Sequence, residues 1–177
     1  MTEPIAYTRR SVLDYPVFSR IRRNHGLEHA TLHVLSKSNP GTRMAGHSDM
    51  NGFWILGDVS LEDVRSAVQE ALLRLRNGEK SLAVHPNCGT NFATAGISAG
   101  VAASLAMFGA GSRLRNKLER VPLAITLATL ALIIAQPLGM KVQQQVTTSG
   151  DPEGLEVVEI RKTTRGRVQA YRVVTEG

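Results

Sequence analysis

Apolar positions are spread unevenly along this chain. Phe92 to Ser112 contains no charged residue, and neither does Val121 to Met140. Each run is close to the ~20 residues with which an α-helix crosses ~30 Å of hydrocarbon. Burying two helices that are apolar on all sides would need more surrounding protein than the rest of the chain supplies. The pattern therefore predicts a two-helix transmembrane hairpin over residues 92–140.

The flanking segments are patterned differently. Residues 1–41 hold a short tail and then a helix, with Pro16 in its first turn and Asn39-Pro40-Gly41 as its stop. Phe18, Ile21, His25, His29, Leu32 and His33 recur there at helical spacing and cover about one third of the wheel. Gly26 weakens this helix and permits a close backbone approach. Gly52–Gly57 reads as a short buried strand. A second amphipathic helix follows, with Ser60 as N-cap, Asp63 in its first turn, Leu61, Val64, Val68, Ala71, Leu72 and Leu75 as its stripe, and Gly78 just past its end. Lys80–Val84 leads into a turn, His85-Pro86-Asn87-Cys88-Gly89-Thr90-Asn91. After the second apolar run, Val142–Thr148, Leu155–Lys162 and Arg167–Val174 are rich in β-formers and predict a three-strand meander. The expected fold class is an α+β membrane protein in three parts: an N-terminal α+β part (1–91), the hairpin (92–140) and a C-terminal β-meander (141–177).

Composition alters this picture in three places. Among 177 residues there is one cysteine, Cys88, which excludes an intramolecular disulfide framework. Lys and Arg number 21 against 15 Asp and Glu, a net charge of +6. Four of the basic residues, Arg113, Arg115, Lys117 and Arg120, lie between the apolar runs, where they meet lipid headgroups rather than nucleic acid. No aromatic platform accompanies them, so no nucleic-acid partner is expected. Gly96 and Gly100, at small-xxx-small spacing, offer a contact for homo-oligomerisation. The first residues lack the apolar run of a signal peptide. That argues for both termini on the cytoplasmic face of the inner membrane, although the basic connecting loop argues the reverse by the positive-inside rule.

The candidate chemistry is concentrated in two motifs. His25-Gly26-Leu27-Glu28-His29 has the form HxxEH, which on a helix puts two imidazoles on one face. A zinc ion held there would lower the pKa of a water toward neutrality, and Glu28 would accept its proton. His85 and Cys88, on the turn, are the natural further ligands. One of them leaves an open catalytic position, whereas both close a structural tetrahedron. His33 extends the histidine row as a ligand or as a hydrogen-bonding neighbour of one. The bland reading is that these histidines bond to core carbonyls and that Glu28 pairs with Arg22 or Arg23. His47-Ser48-Asp49 has the residue types of a catalytic triad but reads as a polar turn.

HGLEHATLH, HPNCGTNF entering an apolar run, Leu138-Gly139 and Gln144-Gln145-Val146-Thr147-Thr148 together resemble the YqhQ-like bacterial integral-membrane proteins, which carry a domain of unknown function. The chain is similar to a shorter relative of that group. Its matching positions are His25, Gly26, Glu28, His29, His85, Pro86, Cys88, Gly89, Thr90, Thr147 and Thr148, and the likeness runs roughly from residue 20 to 160. It implies a membrane protein with a polar His/Glu/Cys cluster, and no established activity.

The expectation is thus an integral membrane protein in the lipid bilayer with a zinc site formed by His25 and His29, with His85 or Cys88 as the third ligand. Glu28 serves as the base of a hydrolase or protease acting on a peptide substrate. The rival expectation is a non-enzymatic scaffold or assembly factor that contacts protein partners and uses the same cluster structurally.

Overall fold

The computed structural model describes residues 12–166 and 168–177. The expected N-terminal tail, residues 1–11, lies outside the described residues. The chain is α+β, with four α-helices and one four-stranded antiparallel sheet among the described residues. It divides into two compact units. One runs to Ala83 and resumes from Thr148 to Gly177, and the other is Val84–Thr147.

The first unit is built on α1 (Pro16–Ser38). Pro16 stands at the first helical position, where a missing N–H costs nothing. The helix closes at Asn39, whose N–H donates to the Leu35 carbonyl (2.8 Å), before Pro40 prevents continuation. Its buried surface is wider than the predicted stripe. Arg23, Asn24, Gly26, Leu27 and Glu28 are buried as well as His29 and Leu32, while Phe18 remains 49% exposed. The reason is that α1 packs against strands, a second helix and a 3-10 turn, which cover most of its middle.

Strands β1 (Met44–Asp49) and β2 (Gly52–Gly57) form a hairpin closed by Met50 and Asn51. His47-Ser48-Asp49 therefore belongs to a strand rather than a turn. Helix α2 (Leu61–Arg76) starts at a capping box. The Asp63 N–H donates to Ser60 Oγ (3.0 Å), and Asp63 returns an acceptor to the Ser60 N–H. The helix ends as its glycine predicts. Gly78, with φ +91°, lets its own N–H reach the Leu75 carbonyl and the Glu79 N–H reach that of Arg74. A 3-10 turn, Lys80–Ala83, closes this segment.

The C-terminal segment is a hairpin of β3 (Glu156–Arg165) and β4 (Val168–Glu176), and β4 pairs with β2. The sheet order is β1-β2-β4-β3. The expected three-strand C-terminal meander is thus corrected on two counts. Its two real strands are part of one sheet with the N-terminal hairpin, and the expected first strand, Val142–Thr148, is mainly helical. Val142, Val146 and Thr147 are good β-formers, but the hydrogen-bond ladder of the preceding helix runs into them and overrides that preference. Leu27, Leu35, Phe53, Ile55, Val64, Val68, Leu155, Tyr171 and Val173 fill the core of the unit. Each large apolar side chain buried there contributes about 1.5–3 kcal/mol.

The second unit is helical. Helix α3 (Gly89–Met107) packs against α4 (Leu114–Val142), which continues into a π turn, Gln143–Thr147. Gly109 and Gly111, both at φ +75°, shape the connection. Arg120 donates to the carbonyls of Ala106 and Phe108, each at 3.1 Å, and so caps the end of α3. The inward positions are small, with Ala106, Ala135 and Gly139 buried. The outward ones are large and apolar, among them Ile97, Val101, Leu105, Ile125, Leu130, Ile133 and Ile134. Among the described residues, Leu114–Thr147 is the one helix long and apolar enough to cross a membrane by length and composition. A Cβ built on Gly96 or Gly100 would meet nothing within 4 Å, so neither glycine serves the α3–α4 contact.

Candidate metal-binding residues

On α1, the HxxEH spacing brings His25 and His29 together as expected. Their ring centroids are 4.4 Å apart and the planes are inclined at 62°. His29 is buried, and its Nδ1 lies 2.8 Å from the Ala83 carbonyl oxygen. A carbonyl only accepts, so in the neutral imidazole Nδ1 carries the proton and Nε2 the lone pair. A backbone carbonyl fixing the tautomer in this way is the usual support of a metal-ligating histidine. The same bond is also what the bland core reading of His29 expects.

Gly26 makes that arrangement possible. A Cβ on Gly26 would collide with the carbonyl oxygen of Ser149 and press on Ala83. The Ser149 N–H donates to the Arg22 carbonyl (2.9 Å), which holds the chain against this turn of α1. Glu28, on the same turn, is 4% exposed, and its carboxylate lies against Gly46 of β1, where any Cβ would overlap it. Of the two arginines considered as partners of Glu28, Arg22 and Arg23, the latter pairs with Glu153 at 2.8 Å. His33 is half-buried one turn further along.

His85 and Cys88 belong to the second unit. Asn87 donates its N–H to His85 Nδ1 (3.2 Å), so this ring closes its own turn. Cys88 is buried and forms the N-cap of α3, with Sγ accepting from the Thr90 N–H at 3.4 Å. The positive end of the helix suits a thiolate ligand.

Reading the sequence alone missed the residue that organises this turn. Gln143 is fully buried. Its Oε1 accepts from the His85 N–H (3.0 Å), and its Nε2 donates to the His85 carbonyl (3.0 Å) and to Asn91 Oδ1 (2.6 Å). Asn91 in turn donates to the carbonyls of His85 (3.3 Å) and Pro86 (2.7 Å). Thr147 and Thr90 share a hydroxyl hydrogen bond of 3.1 Å. A signal was present: Ala135, Gly139, Gln143 and Thr147 recur every four residues, a small-to-polar stripe along one face of the helix end.

The family described as Domain of unknown function (DUF6391) matches residues 20–160, a span that takes in both motifs and Gln143. An uncharacterized protein of Picosynechococcus sp. is 35% identical, over 81% of this chain and 73% of its own length. No solved structure matches the chain.

Proposed function

The chain belongs to the DUF6391 family, and we propose that it is an integral membrane metalloprotein in which His25 and His29 bind a metal ion, with Cys88 as the further ligand that the sequence motifs supply. The observation that carries the reading is the bond from His29 Nδ1–H to the Ala83 carbonyl, which turns the Nε2 lone pair into the donor. Two imidazoles and a thiolate suit zinc, and three protein ligands leave the open fourth position of a catalytic site. His85 is the reserve ligand, because its Nδ1 already accepts within the turn.

The reaction proposed is hydrolysis of an acyl or peptide bond at the membrane. Zinc would supply Lewis acidity toward a water and the scissile carbonyl. Glu28 would take the proton of that water and return it to the leaving group. The exposed apolar faces of α3 and α4 support membrane insertion as a two-helix hairpin. We further propose cytoplasmic termini, self-association through Gly96 and Gly100, and kinship with the YqhQ-like group.

The test is elemental analysis of protein extracted in detergent without added metal. About one zinc per chain is expected, with loss in His29→Ala and retention in Glu28→Gln. If Glu28→Gln also leaves peptide hydrolysis unchanged, the site is structural and the protein a scaffold. Absence of any bound metal in the wild-type chain overturns the reading.

A further inference from the structure

The second unit buries a polar apparatus at the end of a helix whose middle, Val121–Ala135, carries no charged residue. Three residues of the α4–π segment, each four apart, meet the His85–Asn91 segment. Gly139 meets Asn91, since a Cβ there would press on the Asn91 Cα (3.1 Å) and side chain. Gln143 brackets the His85 peptide, taking its N–H and giving to its carbonyl, and also donates to Asn91. Thr147 joins Thr90.

This pattern differs from ordinary satisfaction of a buried amide. A glutamine can make up to four hydrogen bonds, and Gln143 directs three of them onto two residues of one turn. The two bonds to His85 imitate the pairing of a strand, which fixes the height and rotation of that peptide at once. Cys88 follows three residues later, and its own N–H donates back to the His85 carbonyl at 3.3 Å. The same carbonyl is thus the shared acceptor for Gln143, Asn91 and Cys88. The helical segment ends here in a π turn, Gln143–Thr147, rather than in a further α turn.

We infer that Gln143 is a positioning residue: through the His85 carbonyl it sets the Cys88 thiolate for metal binding, without touching the ion itself. This rests on the reading of Cys88 as a ligand. The experiment is therefore arranged to separate the two claims.

The full-length protein in detergent is stripped of metal and titrated with cobalt(II). Wild type should give a thiolate-to-cobalt charge-transfer absorption that Cys88→Ser abolishes. Gln143→Leu should lose most of that band and bind cobalt about 10–100-fold more weakly, the range typical of groups that orient a ligand. Its ligand-field absorption from the histidines should persist at saturating cobalt. Gln143→Glu keeps the acceptor for the His85 N–H and loses both donations, so it should fall between wild type and the Leu variant. Ala106→Gly, at the other end of α3, serves as a destabilised control that should lower the unfolding temperature and leave the band unchanged.

A wild-type protein with no charge-transfer band defeats the metal reading, and this inference with it. A wild-type band retained at full strength and affinity in both Gln143 variants defeats the positioning role and leaves the metal reading standing. Should Gln143→Leu fail to fold, the Glu variant alone decides between these outcomes. Should Ala106→Gly lose the band as well, the effect is general destabilisation and the positioning role is rejected.

Discussion

The two units of this chain solve burial in opposite ways. The first sinks its large apolar side chains inward, with Leu27, Phe53, Ile55 and Tyr171 fully buried, and keeps most charged groups at the surface. The second turns Ile97, Leu105, Ile133 and Ile134 outward and buries mainly small side chains, among them Cys88, Ala106, Ala110 and Ala135, together with Gln143. Only one acidic residue, Glu119, occurs between Val84 and Thr147. In water the second arrangement would expose a continuous apolar surface, whereas in hydrocarbon it is the ordinary one, since small residues bring helices together and polar groups bond internally. The difference teaches that mean hydropathy, −0.09 for the whole chain, describes neither unit.

The largest expected effect breaks or confirms this contrast directly. Leu73 on α2 is 59% exposed and Leu130 on α4 is 50% exposed, so by exposure alone the two leucines are alike. Leu73→Arg should change stability by no more than about 0.5 kcal/mol, as surface substitutions do. Leu130→Arg lies near the middle of the Val121–Met140 run and should cost about 2.5–3.5 kcal/mol of insertion. The measurement is the fraction of each variant retained in carbonate-washed membranes. Equal retention of the two variants would remove the membrane interpretation of α4.

The next effect concerns a glycine whose substitution should act against the usual sign. In an ordinary helix interior Gly→Ala gains about 1 kcal/mol. Gly26→Ala should instead lose a net ~2 kcal/mol, because the new methyl would overlap the Ser149 carbonyl, a backbone group held by its N–H bond to Arg22. Denaturant unfolding followed by Trp54 fluorescence, from the single tryptophan and within the first unit, reads this out. A stabilised Gly26→Ala variant would show that the close approach is not maintained.

Gly26 also marks where the sequence was legible. Its close approach was readable because glycine weakens a helix interior, and a neighbouring backbone that needs the space of the missing side chain offsets that loss. Both helices of the first unit, the Ser60 cap, the Gly78 terminus and the strand Gly52–Gly57 follow from local pattern, and all are present. What local pattern could not carry was the sheet. Pairing of Gly52–Leu56 with Ala170–Val174 joins segments over a hundred residues apart, and no turn residue encodes it. His47-Ser48-Asp49 looked like a turn because its polar residues are typical of one, yet an edge strand accepts them readily. In the candidate site, the His25–His29 pair was legible from spacing. Gln143 was not, because a glutamine beside two more glutamines carries no motif until the helix face is drawn.

The smallest effect sharpens the contrast in charge. Arg172 on β4 reaches across the intervening β2 to Asp49 on β1, with Nη–Oδ distances of 2.7 and 2.8 Å. The Arg172 side chain is 8% exposed and also stacks on Trp54, 5.1 Å from the ring centroid, whereas the Asp49 side chain is 42% exposed. Hydrogen bonding from Arg172 holds the Asp49 carboxyl below the usual range, burial opposes this, and the Asn51 N–H and the charges of Arg172 and His47 reinforce it. A lowered folded-state pKa means that stability is gained above the ordinary Asp value, about 3.9, and lost as pH falls below it through the lowered value. Asp49→Asn should therefore cost about 1 kcal/mol at neutral pH, a figure reduced for the solvent that screens the carboxylate. Between pH 5 and pH 2 the difference between variant and wild type should shrink, as protonation gives the native chain the same neutral partner. Trp54 fluorescence during denaturant titration at each pH reports it. A gap that stays constant into acid would show that the ion pair does not brace the sheet and that the first unit owes its stability to apolar burial alone.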